Sequence, residues 1–557
     1  MSTERVPASL VIDPDDLRLR PARAEGTSRR GARRGWVFAP ILIAIAGSFW
    51  FATRGQTQIF NSRGWPQFRE FFAAALHPAL GREFLGVVWE STLVTLGYAL
   101  IGTALAIVIG LALALAGSHA WSRGTPLSRL ATATRALIRV ALIPMRAVHE
   151  AVWAVLLVQV LGVNPLVAII AIGVPFGAVT ARVYGQMLDD AAPGAFLALR
   201  AAGAGRTQAL VYGLLPEVGG NLVAYGCYRF ECAIRAAAVL GVIGAGGLGF
   251  QIKVSFQSLN YGEMWTLLYV VIALCALADA LSGRMRGRWR RAARDDRAGK
   301  NVVVSRSLRA AAVLAVPLAW WHLHADLGTL WSSRTVTNAQ RLVGELFPSR
   351  LVGSWGALIS QCAETLAMSI LSIAIALAGG AALALVAARR AHAVSLAGSA
   401  CGLAARTLLL ILRAIPPPVW AFVFLFIYFP GVVPGALALG VYNLGVLGRL
   451  MAELVENEDP RSAATLRASG AGLVQVFLYD RIPRLARGFA ALGVYRWEVA
   501  IRETVVVGLV AAGGLGAVLG QDIAAFDYPA ITTTLLALVA VTAIADLTGS
   551  ALRRVLR

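Results

Sequence analysis

An eight-residue motif, Tyr228-Arg229-Phe230-Glu231-Cys232-Ala233-Ile234-Arg235, returns 267 residues later as Tyr495-Arg496-Trp497-Glu498-Val499-Ala500-Ile501-Arg502. The same offset aligns Gly244-Ala245-Gly246-Gly247-Leu248-Gly249 with Ala511-Ala512-Gly513-Gly514-Leu515-Gly516. It also aligns Arg146 with Arg413, Trp153 with Trp420, Gly203 with Gly470 and Pro216 with Pro483. A period this long is no solenoid; it describes two copies of one domain fused in a single chain. Whatever the fold is, the chain has to build it twice.

Each copy is mostly apolar. Hydrophobic residues make up 58% of the chain and charged ones 15%, a balance that belongs to a multi-span membrane protein. The net charge of +21 comes almost wholly from arginine, because only Lys253 and Lys300 are lysines. A nucleic-acid arm would explain the charge but not its placement. Arginines gather before the first apolar run (Arg18 to Arg34), in the centre (Arg284 to Arg297) and at the end (Arg553, Arg554, Arg557). That is the positive-inside pattern, which puts both termini and the central linker in the cytoplasm. The five cysteines lie in apolar segments without CxxC spacing, so neither a disulfide framework nor a metal site is expected.

The organisation follows. Residues 1–35 read as a disordered basic cytoplasmic arm, 36–283 as the first half, 284–307 as a basic cytoplasmic linker and 308–557 as the second half. Apolar stretches fall at about 36–52, 84–117, 136–161, 164–186, 217–243 and 263–283, and again at about 309–325, 354–388, 404–429, 431–452, 484–510 and 529–552. Each is close to the ~20 residues that a membrane helix needs. The predicted fold class is an all-α polytopic membrane protein with two homologous six-helix halves and about twelve membrane helices.

Between the fourth and fifth spans of each half lies a segment too polar to cross. The first runs from Asp189-Asp190-Ala191-Ala192-Pro193 through Ala198, Leu199 and Arg200 to Gly203 and on to Pro216. The second runs from Glu456-Asn457-Glu458-Asp459-Pro460 through Leu466 and Arg467 to Gly470 and on to Pro483. Acidic residues and proline would open a short helix, glycine would end it, and a second helix would follow up to the later proline.

A glycine followed thirteen residues later by proline, placed between two spans, resembles the coupling loop of ABC importer permeases. Together with the Tyr-Arg-Phe-Glu motif and the glycine run, the chain looks like the permease of phosphonate/phosphate-type ABC importers over roughly 84–283 and 354–552. The resemblance implies the type I importer permease fold. It also implies loops that insert into a cytoplasmic ATPase, two ATPase subunits, an external substrate-binding protein and a bacterial plasma-membrane location. The chain departs from the family at one point. The glutamate usual six residues before the loop glycine is Leu197 in the first copy and Ala464 in the second.

The residues that could carry the chemistry are arginines at bilayer depth, where a charge is costly and normally faces a cavity or a partner. Arg146 and Arg413 lie well inside their spans and could line a path for an anion, or form structural ion pairs. Glu150 is expected to pair with Arg146 one turn away, beside the titratable His149. The second copy has Pro416-Pro417-Pro418 there instead, which should break its helix, or pack as a proline kink, and leave Arg413 the less neutralised charge. Glu231 and Arg235, and likewise Glu498 and Arg502, stand four apart in the order that suits a helical ion pair. Arg229 and Arg496 fall on another face and are expected to stay available for substrate or gating contacts.

The GxGxxG at Gly244, Gly246 and Gly249 follows an apolar span rather than a strand, so it is no dinucleotide signature. With Gly247, Gly513, Gly514 and Gly516 it reads instead as close helix packing or a bending gate. No Walker loop is present, so this chain should hold no cofactor itself, with ATP and magnesium on a partner. There is no catalytic or metal-ligating cluster. The expected function is transport of a phosphonate- or phosphate-like oxyanion. The alternatives are an importer for methionine or another small solute, an anion channel needing no ATPase, and, least supported, a membrane enzyme.

Overall fold

The computed structural model describes residues 38–54, 58–119, 129–192, 194–292, 306–346, 354–388, 396–459 and 461–556. The expected basic arm, most of the linker, and Pro193 and Pro460 lie outside them. The helices in chain order are α1 (Phe38–Thr53), α2 (Trp65–Ala73), α3 (Arg82–Gly117), α4 (Arg129–Ala147), α5 (Glu150–Leu161), α6 (Pro165–Asp190), α7 (Gly194–Ala201), α8 (Leu215–Leu240), α9 (Gly247–Gln257) and α10 (Tyr261–Ala292). The series then restarts with α11 (Arg306–His322), α12 (Ser333–Leu346), α13 (Trp355–Ala387), α14 (Leu396–Ala414), α15 (Pro417–Ile427), α16 (Val432–Glu456), α17 (Arg461–Ala468), α18 (Ile482–Val507), α19 (Gly514–Ala524) and α20 (Tyr528–Leu556). Every helix of the first series has a counterpart in the second. The first part of the sequence-defined linker is therefore helix, since α10 runs on to Ala292.

Six helices are long and apolar enough to cross a membrane, and counting each of four bent pairs as one span raises that to ten. The remaining two expected spans are the shorter helices α1 and α11, one ahead of each repeat. The chain is an all-α, multi-pass membrane protein built of two repeats.

It divides into two compact units whose boundaries do not follow the sequence halves. One unit combines residues up to 73 with 346–557, and the other holds 74–345. The leading helices are thus exchanged. α1 packs on α13 and α2 on α15, while α11 packs on α3. Asparagines fasten the exchange. Asn61 Nδ2 donates to Phe426 O at 3.3 Å, and Asn338 Nδ2 donates to Val160 O at 3.2 Å. Each thereby satisfies a carbonyl in the last turn of α15 or α5, which the helix leaves unmatched.

Within a repeat the long helix lies along the fourth span, α3 on α6 and α13 on α16. In a bilayer this association depends on close van der Waals contact, so small residues mark it. A β-carbon on Gly110 would sit 2.5 Å from the Thr180 methyl group, and one on Gly379 would sit 2.4 Å from Leu444.

Candidate functional site: buried arginines, bent helices and polar loops

The third span of both repeats is broken, not only that of the second. α4 and α5 meet at 89°, and α14 and α15 at 91°. Proline achieves this in the second repeat: Pro416 is extended and Pro417 opens α15. In the first repeat histidine does the same work. His149 is extended, and its Nδ1 accepts the Ala151 N–H at 3.1 Å as an N-cap. The proline run therefore does not set the two breaks apart. Glu150 opens the next helix and lies 3.4 Å from His149, so it is not one helical turn from Arg146. Arg146 is half-buried in the last turn of α4, where its Nε donates to Leu142 O at 3.3 Å. Arg413 ends α14 and is buried, only 8% exposed.

The paired motif separates the two repeats more sharply. On α8, Glu231 is buried and pairs with Arg235 at 3.2 Å. On α18 the corresponding Glu498 pairs with Arg553 of α20. Arg229 lies over two aromatic rings, 4.9 Å from the centroid of Phe176 and 5.2 Å from that of Tyr225. Its counterpart Arg496, expected to stay available, is engaged. Nε donates to Asn443 Oδ1 at 2.5 Å and Nη2 to Glu503 Oε1 at 2.6 Å. The sequence comparison missed Glu503 and Asn443 because the 267-residue offset sets them against Ala236 and Phe176. A search for matched polar positions passes over both.

The glycine runs are bends. α8 gives way to α9 at 54° and α18 to α19 at 47°. Gly246 and Gly513 take φ of +92° and +86°, which side chains avoid. Two threonines hold the entry to the half-helices. Thr95 Oγ1 accepts the Leu248 N–H at 2.9 Å, and Thr365 Oγ1 accepts that of Leu515 at 3.0 Å. Glu364 adds a bond from Gly514 N at 2.8 Å in the second repeat. Thr95 and Thr365 are 270 residues apart, not 267, so the main offset conceals their equivalence. Thr365→Val keeps the shape but removes the acceptor from a buried N–H. It is expected to cost about 1–3 kcal/mol, read as a lower unfolding midpoint in detergent; Thr95→Val should act alike.

The polar segments form matched helix–turn–helix loops. Gly203 closes the turn after α7 with φ +88°, and Gly470 that after α17 with φ +87°. The second helix does not stop at the proline as expected. It passes through a widened turn, Leu210–Leu214 or Phe477–Arg481, and continues as α8 or α18. Pro216 and Pro483 lack an N–H, so the carbonyl four residues earlier needs a later partner and the helix opens just before the ring. Ala198, Leu199, Arg200, Leu466 and Arg467 all lie on the short helices α7 and α17. Arg200 donates to Ala204 O at 2.7 Å and braces the turn.

The two loops are held by different forces. In the first, buried Phe196 of α7 seats against Gly213, where a β-carbon would be 3.1 Å from its backbone. In the second, Asp480 stands in the place of Gly213. Arg484 reaches Asp480 at 2.5 Å and Glu458 at 3.1 Å, while Ser462 donates to Asp480 at 3.3 Å. Burial is the main influence on Glu458 and raises its pKa, outweighing the opposite pull of Arg484 and Arg481.

Comparison with known proteins agrees with this architecture. The family model for the binding-protein-dependent transport system inner membrane component matches twice, over residues 106–291 and 380–557. The phosphate-import permease protein PhnE of Mycolicibacterium smegmatis is 26% identical over 443 residues, covering 78% of this chain and 79% of its own. The phosphite transport system permease protein PtxC of Stutzerimonas stutzeri is 34% identical over 242 residues, covering 43% of this chain and 85% of its own. Among solved structures, the inward-facing MetNI methionine ABC transporter aligns at 22% identity with a TM-score of 0.31, over 36% of this chain and 94% of that one. The chain belongs to the binding-protein-dependent transport system inner membrane component family and carries two copies of its domain in one polypeptide.

Proposed function

We propose that this chain is the transmembrane permease of an ABC importer for phosphate, phosphite or a phosphonate, driven by ATP-dependent alternating access. Relatedness to phosphate- and phosphite-import permeases carries the reading. The buried Arg413 and the half-buried Arg146 and Arg229 suit it chemically, because a guanidinium offsets the cost of taking an anion through low dielectric. A few such charges, rather than a full cage, allow the ion to leave again. Arg146, Arg229 and Arg413 are assigned to the pathway, with His149 and Glu150 at the first bend.

Two ATPase subunits, one for each helix–turn–helix loop, would hold ATP and magnesium, and an external binding protein would deliver the substrate. The arginine clusters at the start, centre and end of the chain support cytoplasmic termini in a bacterial plasma membrane. The test is reconstitution of the chain in nanodiscs with its ATPase and binding protein. ATP hydrolysis is measured with phosphate, phosphite, methylphosphonate and methionine. An oxyanion should stimulate hydrolysis and methionine should not. Stimulation by methionine alone, or steady anion conduction by the chain without an ATPase, would overturn the proposal.

A further inference from the structure

The leading segment of the chain carries more apolar surface than the protein covers. In α2, Trp65, Phe68 and Phe72 recur at spacings of three and four residues and so share one face. Their rings form a ladder. Trp65 stacks on Phe68 with centroids 5.3 Å apart, and Phe68 meets Phe72 edge-on at 5.0 Å. α2 packs on α15, and Phe71 is buried, but Trp65 and Phe72 remain 46% and 40% exposed. Gln67, Arg69 and Glu70 are exposed too and fall on the rest of the circumference. The helix therefore has three sides: one against protein, one of exposed rings and one polar.

Two observations set the level of α2 in a membrane. α1 has 16 residues, and at ~1.5 Å per residue it spans about 24 Å of an apolar layer ~30 Å thick, so its far end lies no higher than the headgroup boundary. Its last turn bears the residues of such a boundary, with the Arg54 guanidinium 4.8 Å from the centre of the Trp50 ring. The chain next binds the end of α15, where the third span of the second repeat emerges. Asn61 makes the bond to Phe426 described above, and the Phe60 ring lies 5.9 Å from that of Tyr428. α2 follows directly, held between two helix ends. Its exposed rings continue the apolar surface of α1, where Leu42, Ile43 and Phe49 are exposed.

We propose that α2 lies in the plane of the external membrane surface and anchors the leading segment to lipid. Trp65, Phe68 and Phe72 enter the boundary between headgroups and acyl chains, while Gln67, Arg69 and Glu70 face water. α12 repeats the plan in the other unit. Thr335 is buried, Val336 and Val343 are exposed seven residues apart, and Arg334, Arg341 and Glu345 supply the polar side. The inference goes beyond the transport reading and needs it only for the choice of the external leaflet.

The experiment is photo-crosslinking in the full complex with ATPase and binding protein, in nanodiscs of phosphatidylethanolamine and phosphatidylglycerol. p-Benzoylphenylalanine is placed at Trp65, Glu70 or Phe72 in turn, and adducts are read by mass spectrometry. The first and last positions should gain the mass of one phospholipid, and the Glu70 position should not. Capture of the binding protein from either aromatic position, equal lipid capture at all three, or no lipid capture from the aromatic face overturns the proposal. A ring replaces a ring at half-exposed sites, and either aromatic position decides if the other variant does not assemble. Topology is read separately. Glu70→Cys in spheroplasts should react with a membrane-impermeant maleimide before lysis, above the background of the unaltered chain. Reaction only after lysis would overturn the external placement, while lipid capture judges the anchor by itself.

Discussion

Valine at Gly249 is expected to prevent the first repeat from closing its bend, and valine at Gly516 should do the same in the second. A β-carbon on Gly249 would lie 1.8 Å from Ala238 O and 2.8 Å from Val242 N. On Gly516 it would lie 2.5 Å from Val505 O and 2.9 Å from Gly508 Cα. These neighbours are backbone atoms of the preceding helix, so no side-chain rotation relieves the overlap. The half-helix would have to lift away, losing the threonine bond that anchors its first turn. The cost is expected to reach about 3 kcal/mol or more, seen as loss of the monodisperse species on size-exclusion chromatography. Gly244→Ala is the milder comparison. Nothing lies within 4 Å of its β-carbon, but its φ of +121° is strained for alanine. Alanine is already present at the matching position 511, so a smaller loss is expected there. Equal damage from Gly244→Ala and Gly249→Val would show that flexibility, not close approach, is what the run provides.

The glycine run was readable as a bend because spacing and small size both survive in sequence. The membrane helices and the two loops were readable for the same kind of reason: apolar length, and glycine-to-proline spacing, are local quantities. What escaped the sequence was relational. Nothing in residues 38–53 says that α1 packs on α13, because the apolar surface of α1 would suit either repeat. The break at His149 was hidden since histidine caps through geometry, whereas Pro416 breaks a helix through its covalent structure. The partners of Arg496 were hidden by symmetry itself. A repeat directs attention to what two copies share, and Glu503, Asn443 and Asp480 matter because their counterparts are Ala236, Phe176 and Gly213. The same comparison shows how duplication freed one copy to change. The first loop is held by apolar packing and the second by an ion-pair cluster, although their backbones turn at matching glycines.

That difference makes the second loop sensitive to pH once its arginine is removed. Arg484→Leu removes the cation that reaches both Glu458 and Asp480 and leaves Arg481 still acting on Glu458. Because Arg484 is about a third exposed, solvent screens part of the loss, and roughly 1–3 kcal/mol is expected rather than the larger figure for a fully buried pair. Glu458 already has a raised pKa from burial, and losing Arg484 removes a lowering influence and raises it further. A carboxylate whose folded-state pKa lies above its unfolded value favours the folded loop when protonated. The stabilisation is complete below the unfolded pKa and is lost as pH rises through the folded one. The variant loop should therefore be least ordered at neutral pH and regain order on acidification towards the raised pKa. Hydrogen exchange over residues 461–481 measures this directly, with the first loop, which seats Phe196 against Gly213, as internal control. Adding Glu458→Gln to Arg484→Leu should abolish the pH response and restore much of the order at neutral pH. If exchange in Arg484→Leu is independent of pH, Glu458 does not govern the loop, and the ion-pair cluster is incidental to its fold.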